Sequence, residues 1–236
     1  MPLRILTVIP ARAGSRRLRH KNVRKLDGIP LLVRAITLAQ ESQRRGEQWR
    51  VVVTTDSPRY AQLARQAGAE APFLRPATLA GTEHRLIDAV LHAHDQLTDP
   101  ALPFDAVIMV TPTTPLTTPG DLRRVIRTFK EGGGRSVVTV APDPYAASWR
   151  FHLAPEGHLQ RSGSRRHHVG RSQEDPDRVV LNGAAYMATP DWLRRYGQFV
   201  RAGRTLAVTM PRERSVDIED LQDLRWAEFL LRGGRM

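Results

Sequence analysis

Short apolar runs rich in β-branched residues alternate with stretches of helical periodicity along most of this 236-residue chain. "LRILTVIP" (Leu3–Pro10) is short, apolar and ended by proline, the pattern of a buried strand. In "LLVRAITLAQES" (Leu31–Ser42) apolar residues recur at helical spacing after a "DGIP" turn. "RVVVTTD" (Arg50–Asp56) reads as a second buried strand. "SPRYAQLARQAG" (Ser57–Gly68) combines a capping serine, proline at the first helical position and a terminal glycine, which predicts a helix. Asp56 reads as a cap residue just ahead of it. "LIDAVLHAHDQL" (Leu86–Leu97) predicts a helix, and "FDAVIMVTPTTPL" (Phe104–Leu116) a strand running into a proline-rich loop. "TPGDLRRVIRTFKEG" (Thr118–Gly132) predicts another helix and "RSVVTVAP" (Arg135–Pro142) another strand.

Between Pro144 and Arg178 the periodicity breaks into a polar segment rich in Arg, His, Gly and Asp. Weak alternation in "WRFHLAPEGHLQR" predicts a hairpin turning at "PEG". Beyond it, "RVVLNGAAYMATP" predicts a strand, "DWLRRYGQFVRAG" a helix, "TLAVTMP" a strand and "IEDLQDLRWAEFLLRGG" a closing helix. Strands and helices alternating through short links predict an α/β fold: a three-layer, doubly wound, mostly parallel sheet with helices on both faces. No internal repeat and no linker is visible, so residues 1–236 read as a single domain with an insertion at about 144–178. Ligands of such sheets bind beyond the carboxyl ends of the strands. The loop after the first strand, "TTD" and "TPTTPL" all belong to that edge.

Composition narrows the function classes. Hydrophobic residues make up 41% and charged residues 25%, the balance of a globular protein. No apolar run is long enough to span a bilayer, and "MPLRILTVIP" lacks the features of a secretory signal. With no cysteine, disulfides and thiolate metal sites are excluded, and a cytoplasmic location is the expectation. The formal charge of +12 makes nucleic acid the first partner to weigh. The cations, however, are almost all arginine and spread through the chain, with lysine only at Lys21, Lys25 and Lys130, and aromatic residues are 6%. Without an interleaved aromatic platform we expect a small anion and no nucleic-acid partner; basic nucleic-acid binding stands as the alternative from another class.

A strongly cationic stretch, "IPARAGSRRLRHKN" (Ile9–Asn22), begins at the end of the first strand. A small-residue loop between strand and helix can present backbone N–H groups to phosphate, and arginine supplies forked donors to phosphate oxygens. Neither the spacing of a Walker loop nor that of a dinucleotide fingerprint is present. The stretch resembles the A-R-x-x-S-K-x-x-x-x-K-N signature of the acylneuraminate cytidylyltransferase (CMP-sialic acid synthetase) family. Ala11, Arg12, Ser15, Lys21 and Asn22 match in register, and Arg16 replaces a lysine. Five further pieces follow in the family's order: "VVVTTD", "APFLRPATLAG", "TPTTPL", "LNGAAYM" and "RSVDIEDLQDL".

The resemblance implies a Rossmann-like nucleotidyltransferase that moves CMP from CTP to an acidic acceptor and releases pyrophosphate. It assigns Arg12 and Lys21 to catalysis. Ala11, Ala13, Gly14, Ser15, Arg16, Asn22 and Ala80 join them around the nucleotide. Arg17, Arg19 and His20 fall on variable positions, as solvated decoration. Asp217 matches the first carboxylate of a Mg2+ site; Glu219 takes the second position, with Asp220 as its substitute. The same acidic run also suits the N-terminal turn of the last helix, where it would favour the helix dipole.

The acceptor side falls to Thr111, Thr113, Arg171, Gln173 and Asn182, where the chain departs most from the family pattern. Thr111 and Thr117 replace a Gln and an Arg, Ser172 stands at an Arg position, and Val180 at another. A nonulosonic sugar acid is the family's acceptor, and a small phosphonate is the alternative. "RSGSRRHHVGR" (Arg161–Arg171) reads either as an anion-binding segment or as a surface loop, and not as a metal site. The family's dimers imply a homodimer whose 144–178 segments are shared between active sites.

Overall fold

A computed structural model of the chain describes residues 2–15, 17–79, 86–145, 151–155, 157–161 and 178–234. Strand β1 (Arg4–Pro10) is buried from Ile5 onward and lies between two parallel neighbours, β4 (Gln48–Thr54) and β5 (Ala106–Val110). Its apolar residues serve both faces of the sheet, which is why the run shows no polar alternation. Strands β6 (Ser136–Pro142) and β10 (Leu206–Thr209) are parallel to each other. Strand β9 (Val179–Ala188) joins the two halves by running antiparallel to both β5 and β6. The six-stranded order is β10-β6-β9-β5-β1-β4.

Helices α1 (Leu31–Glu41), α2 (Pro58–Gln66) and α4 (Pro119–Glu131) cover one face with Ile36, Tyr60, Leu122 and Phe129. Helices α3 (Leu86–Leu97) and α5 (Pro190–Tyr196) cover the other with Val90, Trp192 and Leu193. Each such buried side chain is worth roughly 1.5–3 kcal/mol of transfer free energy. A third cluster joins Leu18, Leu26, Leu31, Leu116 and Ile218 to Ala227 of α6 (Leu221–Leu231), so the last helix packs against the first loop. The "DGIP" turn closes a small hairpin of β2 (Lys25–Leu26) and β3 (Ile29–Pro30), with positive φ at Asp27 and Gly28. Within 144–178, strands β7 (Phe151–Leu153) and β8 (Leu159–Arg161) form the expected hairpin. Residues 146–150, 156 and 162–177, with most of the Arg/His-rich segment, lie outside the described residues. Among the described residues no helix is long and apolar enough to cross a membrane.

Ser57 caps α2 as its sequence predicts, by accepting from the Tyr60 N–H, and Asp56 takes no part in that cap. Two boundaries differ from those the sequence predicts, each for a capping reason. Helix α5 stops at Gly197, whose left-handed backbone donates to the Leu193 carbonyl, rather than running to Gly203. Helix α6 begins only at Leu221, because the Asp220 carboxylate accepts from the Gln222 and Asp223 N–H groups. Asp217 and Glu219 therefore stand on an irregular arm before the helix.

Candidate active site

The loop after β1 is held at its backbone, which leaves its cationic side chains free to serve a cleft. The Ala11 N–H donates to the Thr54 carbonyl at 3.0 Å, extending the β1–β4 pairing past Pro10. The Ala13 N–H donates to Asp56 Oδ1 at 2.8 Å, and Asn22 Nδ2 to the Arg12 carbonyl at 2.9 Å. Leu18 is buried in the third apolar cluster. His20, left-handed at φ 56°, then turns the chain into a short 3-10 turn beginning at Lys21.

Arg12, Ser15, Lys21 and Asn22 line a cleft of about 690 Å3 at the carboxyl ends of β1 and β5. Ala11 is fully buried behind it and Ala13 packs on the core. Gly14 is exposed, with nothing within 4 Å of where a Cβ would stand. Arg16 and Ala80 lie outside the described residues.

The opposite wall comes from the β5–α4 loop, β9 and the arm before α6. Thr111, Thr113, Gly183, Tyr186, Asp217 and Glu219 all line it. The Thr111 hydroxyl donates to the Gly183 carbonyl at 2.8 Å, tying the β5 loop to β9. The Ile218 N–H donates to the Thr113 carbonyl at 2.8 Å, which sets Asp217 beside that loop. Burial pushes the Asp217 carboxyl above the ordinary range; the Thr113 hydroxyl opposes the shift, the Glu219 charge adds to it and Lys21 opposes it. Burial also raises the Tyr186 phenol, with the Asp217 charge adding to the effect. Lys21 Nζ meets Glu219 Oε1 at 2.8 Å, so cationic and acidic walls touch directly.

Several predicted residues take other places. Asn182 lies behind the cleft and does not line it. Its Oδ1 accepts from the Thr139 hydroxyl at 2.6 Å and its Nδ2 donates to Ser215 Oγ at 3.0 Å, so its amide is committed to the interior. Asp220 is the α6 cap, and its carboxylate accepts from backbone N–H groups instead of facing the cleft. Arg17 is not mere decoration: it lines the cleft and lies 3.6 Å from Glu219 Oε2. Arg171 and Gln173 lie outside the described residues.

The structure adds Asp56, which brackets the loop, and Arg75. The Arg75 side chain is buried, donates to the Thr54 hydroxyl and carbonyl, and lines the cleft. Burial lowers its pKa; Asp56 opposes that shift and neighbouring Arg12 adds to it. The arginine of "LRP" was visible in sequence, but nothing local showed that it turns inward. Adjacent guanidinium groups on one wall and a desolvated carboxylate on the other suit a phosphate chain with a counter-cation.

Comparison with known proteins shows the family. A family profile described as cytidylyltransferase matches residues 6–144. The CMP-N,N'-diacetyllegionaminic acid synthase of Legionella pneumophila is 36% identical over 187 residues, covering 79% of this chain and 78% of the relative. The pseudaminic acid cytidylyltransferase of Campylobacter jejuni is 27% identical over 226 residues, 95% of each chain. In fold, the chain is similar to a CMP:2-keto-3-deoxy-manno-octonic acid synthetase solved in complex with CTP. The TM-score is 0.66 at 17% identity, over 98% of this chain and 100% of the other. With the family match extending from β1 past β6 and the cationic loop seated in the cleft, this chain belongs to the cytidylyltransferase family, among the sialic-type CMP synthetases, and is a nucleotidyltransferase.

Proposed function

We propose that this enzyme transfers CMP from CTP to a nonulosonic sugar acid in the cleft between the β1 loop and the β5–α4 loop. The observation that carries the reading is the pairing of Arg12 and Lys21 on one wall with the desolvated Asp217 on the other. In the reaction a hydroxyl oxygen of the acceptor forms a bond to the α-phosphorus. The bond from that phosphorus to the bridging oxygen breaks, and pyrophosphate leaves with the electron pair while the hydroxyl proton passes to solvent. Arg12, Ser15 and Lys21 hold the triphosphate and stabilise charge growing on the leaving group. Ala11, Ala13 and Gly14 shape the loop that brings them there, and Asn22 locks its backbone. Thr111 and Thr113 form the acceptor wall. The relatives named above act on sugar acids and lend the phosphonate reading no support.

Asp217 and Glu219 fit a Mg2+ ion: two hard carboxylates, one of them desolvated, with phosphate oxygens from the substrate to complete the shell. When bound, the ion supplies charge neutralisation on the phosphates. Among the described residues no group of three or more His, Cys, Asp and Glu side chains is placed to hold a metal. A homodimer belongs to the same proposal, supported by exposed Leu153 and Leu159 on the β7–β8 hairpin and exposed Val179, Val180 and Leu181 on β9.

The test is pyrophosphate release with CTP, Mg2+ and a panel of sialic, legionaminic, pseudaminic and 3-deoxy sugar acids. Release is expected with at least one nonulosonic acid, and Arg12→Ala lowers kcat by about 10²–10³. No release across the panel, or full activity in Arg12→Ala, refutes the assignment.

A further inference from the structure

The arm carrying Asp217 and Glu219 has no regular structure between the 3-10 turn Arg212–Arg214 and α6. Its place therefore depends on what holds it. At its start the Arg214 guanidinium forks onto Asp121: Nε donates to Oδ2 at 2.9 Å and an Nη group to Oδ1 at 2.8 Å. The Asp121 side chain is 1% exposed. It also accepts from the Thr118 N–H, the Thr118 hydroxyl and Arg124. Burial pushes this carboxyl up, but the donors from Arg214, Thr118 and Arg124 together hold it well below the ordinary carboxylate range. A two-pronged guanidinium–carboxylate pair fixes rotation as well as distance, which a lysine cannot do.

The pair joins two pieces of the same site. Asp121 is the third residue of α4, the helix that follows the Thr111–Thr113 loop. Arg214 precedes Asp217 by three residues on the arm. Two further ties flank the carboxylate, Asn182 to Ser215 and the Ile218 N–H to the Thr113 carbonyl. Arg214 does not itself line the cleft.

We propose that Arg214, forked onto Asp121, is a positioning residue that sets the Asp217 carboxylate against the β5–α4 loop and so governs how tightly a divalent cation is held. The inference rests on the cytidyl-transfer reading above. Arg214 bonds Asp121 outside the cleft lining and acts through the arm.

Arg214→Ala and Arg214→Lys test it. Retention of Mn2+ is read by the loss of the free-ion EPR signal in the presence of CTP without acceptor, and Mg2+ dependence by titrating pyrophosphate release. Loss of a partner bonded directly to a ligating side chain typically costs roughly 10–100-fold in metal affinity. Arg214 bonds Asp121 and not a proposed ligand, so we expect Arg214→Ala to weaken Mn2+ retention and raise the half-saturating Mg2+ by the lower end of that range, about 10-fold or less. Arg214→Lys keeps the charge and the fold and falls between Arg214→Ala and the native enzyme. A lowered Tm with Mn2+ retention and half-saturating Mg2+ unchanged in both variants reduces Arg214 to a structural residue and overturns the proposal. If Arg214→Ala does not fold, unchanged metal binding in Arg214→Lys overturns it equally. Native enzyme that releases no pyrophosphate defeats the functional reading instead, a result distinct from native activity with indifferent variants.

Discussion

Gly183 shows how little room the acidic wall leaves. Its φ is +77°, and an added Cβ would stand 3.1 Å from Asp217 Oδ2. Gly183→Ala therefore meets both a backbone penalty of roughly 1–2 kcal/mol and a displaced carboxylate. The expected result is lower stability by urea denaturation together with a raised Mg2+ requirement; an unchanged Mg2+ titration would show that the carboxylate tolerates the methyl group. Glu219 makes predictions of opposite sign with and without Mg2+. It neutralises Lys21 at 2.8 Å and approaches Arg17 at 3.6 Å, the cations that face the cleft. Glu219→Gln releases these cations while removing a proposed Mg2+ ligand. Calorimetry should find CTP binding tighter than native in EDTA and weaker than native in Mg2+; the same shift in both buffers would sink the idea.

At the scale of elements, caps decide where functional residues end and structural ones begin. Asp220 caps α6 through Oδ1, which accepts from Gln222 and Asp223 at 2.8 and 3.0 Å. Asp220→Ala is expected to lose about 1 kcal/mol of stability. Its half-saturating Mg2+ should move far less than that of Asp217→Asn, and equal shifts would return Asp220 to the proposed metal site. Asp121 links α4 to the arm, and its pH dependence has a definite sign. Its carboxyl is held below the ordinary value of 3.8, so its bonds contribute stability that is complete above that value and lost as pH falls through and below it. The stability gap between native protein and Asp121→Asn, followed by urea denaturation, should be full at neutral pH and narrow in acid from about pH 4 downward. A gap that is constant with pH would mean the carboxylate charge is not what matters.

For the whole molecule, the formal charge of +12 acts on encounter with a polyanionic nucleotide. Added salt shortens the Debye length from about 10 Å at 0.1 M to about 3 Å at 1 M. Raising NaCl should lower kcat/KM for CTP more than kcat; equal effects on both would place the salt sensitivity in the chemical step.

Local patterns in the sequence determined the parallel strands β1, β4, β5 and β6, the helices that cover them, and the cationic loop, because strand and helix periods and turn chemistry act between near neighbours. The loop's Arg12, Ser15, Lys21 and Asn22, and the carboxylates Asp217 and Glu219, were legible only through the resemblance to the family's signature, and all six line the cleft. Only the tertiary structure decided that Asn182 turns inward, that Asp56 brackets the loop instead of capping a helix, that Arg75 lines the cleft from a buried position, and that Arg214 grips Asp121 across 93 positions of sequence. Those outcomes depend on which groups the packed sheet brings within hydrogen-bonding distance, and burial obliges each polar group to find a partner wherever the fold supplies one.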